Sequence, residues 1–224
     1  MIGTELYIEK IKKSKINKNS PLELITELDI IKKFETDTGK LVGVVTNEPF
    51  YDFRLDVFRN RATGKLFRYT NVEYPKNGNG AASLIVIHNT DGEEYLLLLK
   101  SFRIFIDEGS WVYEICRGFA DPCDKKSSMN TSMRELFEET GIDITKVQHT
   151  TRSLGAIYPD SGLSNNEVDL YRIDLFVNTS LKLNNLDENE HICDYKLVNV
   201  KEIKKLVSEI KDSFTLCAIA KAFI

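Results

Sequence analysis

Three carboxylates within Arg134-Glu135-Leu136-Phe137-Glu138-Glu139-Thr140-Gly141-Ile142 are the residues of this chain whose types and spacing point most directly to chemistry. No Gly or Pro interrupts Met129 to Thr140, Ser127 or Ser128 can cap the start, and Gly141 stands where helices commonly stop. A helix of about three turns is therefore expected. At roughly 100° per residue, Met129, Met133, Leu136, Phe137 and Thr140 fall on one side, while Glu135, Glu138 and Glu139 share an arc on the other. The apolar side is expected to bury and the acidic side to stay open. Glutamates at i, i+3 and i+4 repel by a few tenths of a kcal/mol per pair unless a cation neutralises them. Hard carboxylate oxygens, with no His or Cys in the stretch, suit Mg²⁺ or Mn²⁺ rather than Zn²⁺. An acidic helix face on its own is more often a solvated surface. Context weighs against that here, because the strand-like Glu114-Ile115-Cys116-Arg117 opens at Gly118 into a polar loop that feeds the helix.

The stretch from Gly118 to Ile142 resembles the Nudix box: Gly, five residues, Glu, seven residues, Arg-Glu, an aliphatic, any, Glu-Glu, any, Gly, an aliphatic. Arg134 through Ile142 fit every specified position, whereas Asp124 stands in place of the usual Glu and nine residues separate it from Arg134, so the loop has gained two. By this resemblance Glu135, Glu138 and Glu139 are metal ligands, with Asp124 a weak candidate and the backbone carbonyl of Arg117 a further one. Arg134 would orient the carboxylates through charge-assisted hydrogen bonds.

The resemblance extends beyond the box. Leu97-Leu98-Leu99-Lys100-Ser101-Phe102-Arg103 followed by Trp111-Val112-Tyr113-Glu114 is similar to the paired strands that precede the box in ADP-ribose and nucleoside-diphosphate-sugar pyrophosphatases. Pro159 and the loop Ser161-Gly162-Leu163-Ser164-Asn165-Asn166-Glu167 resemble that subgroup's downstream segment, with Ser161 in place of Pro and one extra residue before Glu167. Ile210 to Leu216 is similar to its final helix. The implied activity is Mg²⁺-dependent hydrolysis of the diphosphate bond of ADP-ribose, or of a related nucleoside diphosphate sugar, to a nucleoside monophosphate and a sugar phosphate. Glu167, on a mobile loop, is the candidate general base, Glu138 is the alternative, and Arg134 completes the catalytic set. Substrate-binding candidates are Arg103, Glu114 and Phe53, the last with Phe50 and Tyr51 as rings that could stack a base, although a core or interface role is commoner for such aromatics. The alternative function is a non-catalytic Nudix-like nucleotide-sensing or regulatory module. The lengthened box and Asp124 motivate it, and the intact R-E-x-x-E-E argues against it.

The elements that must position these residues read as an α/β domain. The chain has 224 residues, 42% of them hydrophobic, enough to bury a full core. Residues 1–40 read as a charged N-terminal extension with helices around Leu6 to Ile16 and Pro21 to Phe34, and residues 41–224 as the catalytic domain. Strands are expected at Leu41 to Val45, Phe53 to Arg59, Lys65 to Glu73, Ala81 to His88, Glu94 to Phe102, Thr151 to Ile157, Val168 to Val177 and Tyr195 to Val200, with a helical end from Val200 to Ile224. Asn89-Thr90-Asp91-Gly92 reads as a hairpin turn between apolar runs that suit buried strands. Strands on both sides of a central helix point to a mixed sheet covered on two faces, by resemblance the Nudix α/β/α sandwich with an added N-terminal extension. That subgroup's N-terminal strands pair across a homodimer, so the segment 41–75 is expected to dimerise. A formal net charge of -4 gives no electrostatic footprint for nucleic acid. Cys116, Cys123, Cys193 and Cys217 form no C-x-x-C pair, no signal peptide is evident, and no apolar run approaches the roughly 20 residues that span a bilayer, so a cytoplasmic protein is expected.

Overall fold

The computed structural model describes residues 4–12, 19–47, 51–74, 78–177, 181–187 and 191–223. Its elements run α1 (Thr4–Lys12), β1 (Leu22–Leu24), α2 (Leu28–Thr38), β2 (Gly43–Asn47), β3 (Asp52–Asn60), β4 (Leu66–Glu73), β5 (Gly80–Asn89), β6 (Glu94–Arg103), β7 (Ser110–Glu114), β8 (Cys116–Gly118), α3 (Ser128–Thr140), β9 (Gln148–Ile157), β10 (Val168–Val177), β11 (Ile192–Asn199), α4 (Ile203–Val207) and α5 (Ser213–Phe223). The chain forms two compact units, one of residues 1–76 with 160–166 and one of residues 77–159 with 167–224. The expected extension and the strands after it thus share the first unit.

In that unit β3 is central, flanked by β1 and β2 along one edge and by β4 along the other, all antiparallel. Tyr7 and Ile11 of α1, Ile31 and Phe34 of α2, and Ile25, Val42, Val44 and Val57 form its apolar core. The first part of the helix expected across Pro21 to Phe34 is instead strand, because Leu22 to Leu24 pair with Phe58 to Asn60 and α2 begins only at Leu28. Tertiary pairing here outweighs local propensity.

The second unit holds a seven-stranded mixed sheet of order β11-β6-β5-β10-β9, with β7 paired to β6 and β8 to β5. Among the described residues of this sheet β5 and β10 run parallel and the other pairings are antiparallel. Side chains alternate across β5 and β6 with period two. Ala82, Leu84, Leu96 and Leu98 turn to one face with Ile203, Leu206, Ile210, Ala218 and Ile219 of the C-terminal segment. Ala81, Ile85, Ile87, Leu97 and Leu99 turn to the other with Leu136 of α3 and with Ile142 and Ile144 just beyond its end. Both faces are covered, giving the α/β/α sandwich. The expected hairpin closes at Gly92, whose φ of 81° is left-handed and whose N–H donates to the Asn89 carbonyl at 3.1 Å. The helical end is divided into a 3₁₀ turn at Val200–Glu202, then α4 and α5. No helix among the described residues is long and apolar enough to cross a membrane.

Candidate active site

Helix α3 begins and ends as its sequence dictates. Ser127 accepts from the Asn130 N–H at 3.3 Å, and Gly141, at φ 72°, closes the C-terminus by donating to the Phe137 carbonyl. The two faces of the helix differ from expectation at two positions. Phe137, expected to bury, is 45% exposed, and Glu139, expected to lie open, is 2% exposed. The buried line runs Thr131, Ser132, Leu136, Glu139, Thr140, so Leu136 points into the sheet with Glu139 and Thr140 beside it. Glu138 stands on the outer side.

Glu139 is buried because it has a specific donor: the Arg117 N–H of β8 reaches its Oε2 at 3.1 Å. Arg117 lies opposite Ala82 of β5 while Cys116 and Gly118 flank it in the same register, so its N–H is turned away from β5. Glu135 is seated against the end of the same strand, where a Cβ placed on Gly118 would fall 1.9 Å from its Oε1. Glycine is needed at that position so that the carboxylate can lie on the backbone. Gly80 packs in turn on Gly118, at 2.8 Å from its carbonyl oxygen to the position of an added Cβ. The Cys116 thiol is pushed well up by burial and then by the charge of Glu139.

Arg134 ties the remaining carboxylates. Its Nε and Nη2 donate to Asp124 at 3.1 and 3.0 Å, Nη1 to Glu138 at 2.6 Å, and Nη2 also to the Phe119 carbonyl at 2.8 Å, while Nη1 lies 2.8 Å from Glu135 Oε1. Burial works against the guanidinium's charge, but the hydrogen bond to Asp124 and the charges of Glu135 and Glu138 outweigh it and raise its pKa. Asp124 is itself buried and further bonded by the Asp121 N–H at 2.8 Å and the Thr131 hydroxyl at 3.0 Å. Burial alone would raise its pKa, yet these donors, Arg134 first, hold it below the usual carboxylate range. Asp124 therefore serves as the anchor of Arg134 and of the loop. That loop accommodates its two extra residues with Lys125 and Lys126 at φ 55° and 61°.

Among the described residues no group of three metal-ligating side chains is already assembled around a common point. The donor chemistry nevertheless fits a hard divalent cation. Glu135 and Glu139 are both held at the end of β8, Glu138 is next to them on the helix, and the Gly118 position keeps backbone and carboxylate within contact. Arg134 neutralises Glu135 and Glu138 meanwhile.

Beside this cluster Glu114, 1% exposed, accepts from Arg103 Nε at 3.1 Å and Nη2, and from Arg117 Nη2 at 3.1 Å. Burial raises its pKa, and the two guanidiniums more than offset that, so it stays ionised and lowered. Glu114 thus holds two partly exposed arginines in place.

Glu167 immediately precedes Val168, which is in register with Gly80, itself next to the Ala81–Gly118 pair. Two strand spacings, about 10 Å, separate those backbones. Glu167 therefore starts from the sheet end that carries Gly118. The nearness of its carboxylate raises the pKa of the Tyr158 phenol. The preceding loop, expected to be mobile, is pinned to β4: Tyr69 Oη donates to the Gly162 carbonyl at 2.6 Å, and the Val72 and Tyr74 N–H groups donate to the Leu163 carbonyl and Asn165 Oδ1 at 2.9 and 2.5 Å.

Phe53 belongs to β3 in the first unit, half-buried, and Tyr51 packs on Tyr74 with ring centroids 5.3 Å apart. Phe50 lies outside the described residues. The structure thus brings Arg134, Glu135, Glu138, Glu139, Arg117, Glu114 and Arg103 together in the second unit, with Glu167 at the same sheet end. Asp212 reaches this cluster at Arg117 and Thr215 reaches the Ile115 N–H; the resemblance of Ile210 to Leu216 places both in the final helix but not in the site.

Residues 78–216 match the family model described as NUDIX domain. No curated protein matches the chain. Among solved structures, an ADP compounds hydrolase is 13% identical, covering 92% of this chain and 94% of its own with a TM-score of 0.60. RenU, a Nudix hydrolase from M. smegmatis, is 11% identical over 70% of this chain and 86% of its own with a TM-score of 0.46. A C. elegans Ap4A hydrolase is 15% identical over 64% and 93% with a TM-score of 0.43.

Proposed function

The chain belongs to the Nudix family of hydrolases acting on pyrophosphate bonds, and from that premise we propose that it is a Mg²⁺- or Mn²⁺-dependent pyrophosphatase that cleaves the diphosphate of ADP-ribose or a related nucleoside diphosphate sugar. The observation that carries the metal site is the fixing of Glu139 by the Arg117 N–H at 3.1 Å, with Glu135 packed on Gly118 at the same strand end. Glu135, Glu138, Glu139 and the Arg117 carbonyl would hold the cation. Bound there, it supplies charge neutralisation at the phosphate oxygens and a lowered pKa for water.

The chain's own residues do the rest. Glu167 takes the proton of the attacking water as the water oxygen joins phosphorus and the bridging P–O bond breaks. Arg134 orients Glu135 and Glu138 through its charge-assisted bonds, with Asp124 behind it. Arg103, held by Glu114 and still partly exposed, offers a guanidinium to the distal phosphate or phosphate-linked ribose. The substrate class is supported by the arginine pair beside the glutamate cluster and by the similarity of fold to an ADP compounds hydrolase. A homodimer through the segment 41–75 and a cytoplasmic setting belong to the same reading.

The test is hydrolysis of a nucleoside-diphosphate panel headed by ADP-ribose with Mg²⁺ or Mn²⁺, a coupled phosphatase reporting the monophosphate released. Wild type should turn over with metal, and Glu138→Gln and Glu139→Gln should each lose about 10²-fold or more. No turnover anywhere on the panel, with nucleotide binding by calorimetry, would favour a sensing module instead.

A further inference from the structure

Two alternate N–H groups on the outer edge of the short strand β8 and its lead-in, those of Ile115 and Arg117, are satisfied by side chains. Arg117 N–H donates to Glu139. Ile115 N–H donates at 3.0 Å to the hydroxyl of Thr215 in α5. Thr215 is fully buried, and its hydroxyl donates onward to Asp212 Oδ2 at 2.7 Å, while its own N–H reaches the same oxygen at 2.8 Å. Asp212 therefore caps α5 and fixes the Thr215 hydroxyl so that its lone pair faces Ile115. Its other oxygen lies 3.5 Å from Arg117 Nη2, and the Arg117 guanidinium rests 4.4 Å from the centre of the Phe214 ring.

We propose that Asp212 and Thr215 of the C-terminal helix are positioning residues for the metal-holding carboxylates, acting through Ile115 and Arg117 on the strand that carries the Glu139 hydrogen bond. The proposal rests on the metal reading of Glu135, Glu138 and Glu139. Two physical features support it. β8 is three residues long and, among the described residues, pairs with β5 alone, so its other edge is set by whatever accepts its N–H groups and that of Ile115 before it. Those acceptors are one metal-site carboxylate and one hydroxyl of α5. The Arg117 side chain is meanwhile clamped between Glu114, Asp212 and Phe214, so its backbone cannot turn without breaking contacts to α5. A shift of α5 is thereby transmitted to the N–H that fixes Glu139 and to the Arg117 carbonyl.

The test measures Mn²⁺ affinity of the full chain by electron paramagnetic resonance without substrate, beside a thermal melt. Thr215→Val keeps volume and removes the acceptor; Asp212→Asn keeps a capping oxygen and removes the charge facing Arg117; Thr215→Ser restores the hydroxyl. Folded Thr215→Val and Asp212→Asn should each bind Mn²⁺ about ten- to a hundredfold more weakly, with Thr215→Ser near wild type. If both folded variants bind as wild type does while their melts fall, Asp212 and Thr215 merely hold the helix and the proposal is overturned. Wild type that binds no Mn²⁺ would overturn the metal reading itself, an outcome distinct from unchanged variants.

Discussion

Arg54 on β3 and Arg134 on α3 each gather carboxylates from more than one element, yet their surroundings set them to different tasks. Arg54 is 3% exposed and donates to Asp56, 0% exposed, at 3.1 Å and to Glu73 at 2.5 Å; on the same face Asp52 pairs with Lys10 of α1. Burial dominates there, and it raises the pKa of Asp56 despite the nearby Arg54 charge. The Arg134 side chain is 22% exposed and that of Glu138 beside it 36%. Its charges keep an open side. A cluster buried among its own members offers no open side to an external cation, whereas a cluster with a partly exposed member can exchange its internal counter-ion for one. The first arrangement specifies packing in its unit; the second is available for chemistry.

Removing Arg54 should give the largest effect. Arg54→Met leaves Asp56 buried without its cation and should destabilise the protein by about 3–5 kcal/mol in urea unfolding, while Mn²⁺ affinity of the folded protein is unchanged. A small stability loss would mean that the closed cluster is not a structural one. Gly118→Ala tests the other side. Its backbone is not left-handed, and the atoms an added Cβ would meet are the movable end of Glu135, so stability should change by only about 1 kcal/mol. Displacement of that carboxylate should nonetheless lower metal-dependent turnover roughly a hundredfold. Near-normal turnover would remove Glu135 from the metal set.

The two clusters also differ in how far the sequence reveals them. Glu135, Glu138 and Glu139 follow each other at helical spacing, and Ser127 and Gly141 mark the ends of that helix, so motif and boundaries are both local signals. Asp52, Arg54 and Asp56 alternate on a strand whose apolar partners Phe53 and Leu55 would ordinarily be taken for the inner face. The structure buries the polar face instead, because Lys10 of α1 supplies a partner for it from 42 residues away. Glu139 departs from its expected face for a related reason. Helical periodicity ranks side chains by polarity, and only the N–H of Arg117 explains why a carboxylate is buried there. Leu22 to Leu24 form a strand through pairing with Phe58 to Asn60, and Thr215 enters the site through a contact 100 residues distant in sequence. Local order was legible; partners supplied from a distance were not.

Asp124→Asn keeps the shape of the Arg134 anchor and removes its charge. It should cost about 1–3 kcal/mol near neutral pH, read by chemical unfolding. Because the folded pKa of Asp124 is depressed, its contribution is fully present above the ordinary value of 3.8 and is lost as pH falls through the folded value. The gap between wild type and Asp124→Asn should therefore widen as pH rises and close in acid. A gap independent of pH would mean that the charge of Asp124 does not stabilise the loop.

Asp56→Asn should show the smallest effect and the opposite slope. Burial raises the folded pKa of Asp56, so above 3.8 the folded state retains a proton that the unfolded chain has released. Wild type therefore loses stability from this group as pH rises from 3.8 towards the raised value, and the asparagine variant does not. Plotted against pH, the stability of Asp56→Asn relative to wild type should climb above 3.8, whereas that of Asp124→Asn should fall below 3.8, between the lowered folded value and the ordinary one. Loss of one Arg54 partner lowers the whole Asp56→Asn curve but not its slope, because Glu73 still accepts from Arg54 at 2.5 Å. Parallel slopes for the two variants would mean that burial does not separate the clusters, and that Asp56, like Asp124, is held ionised by its arginine.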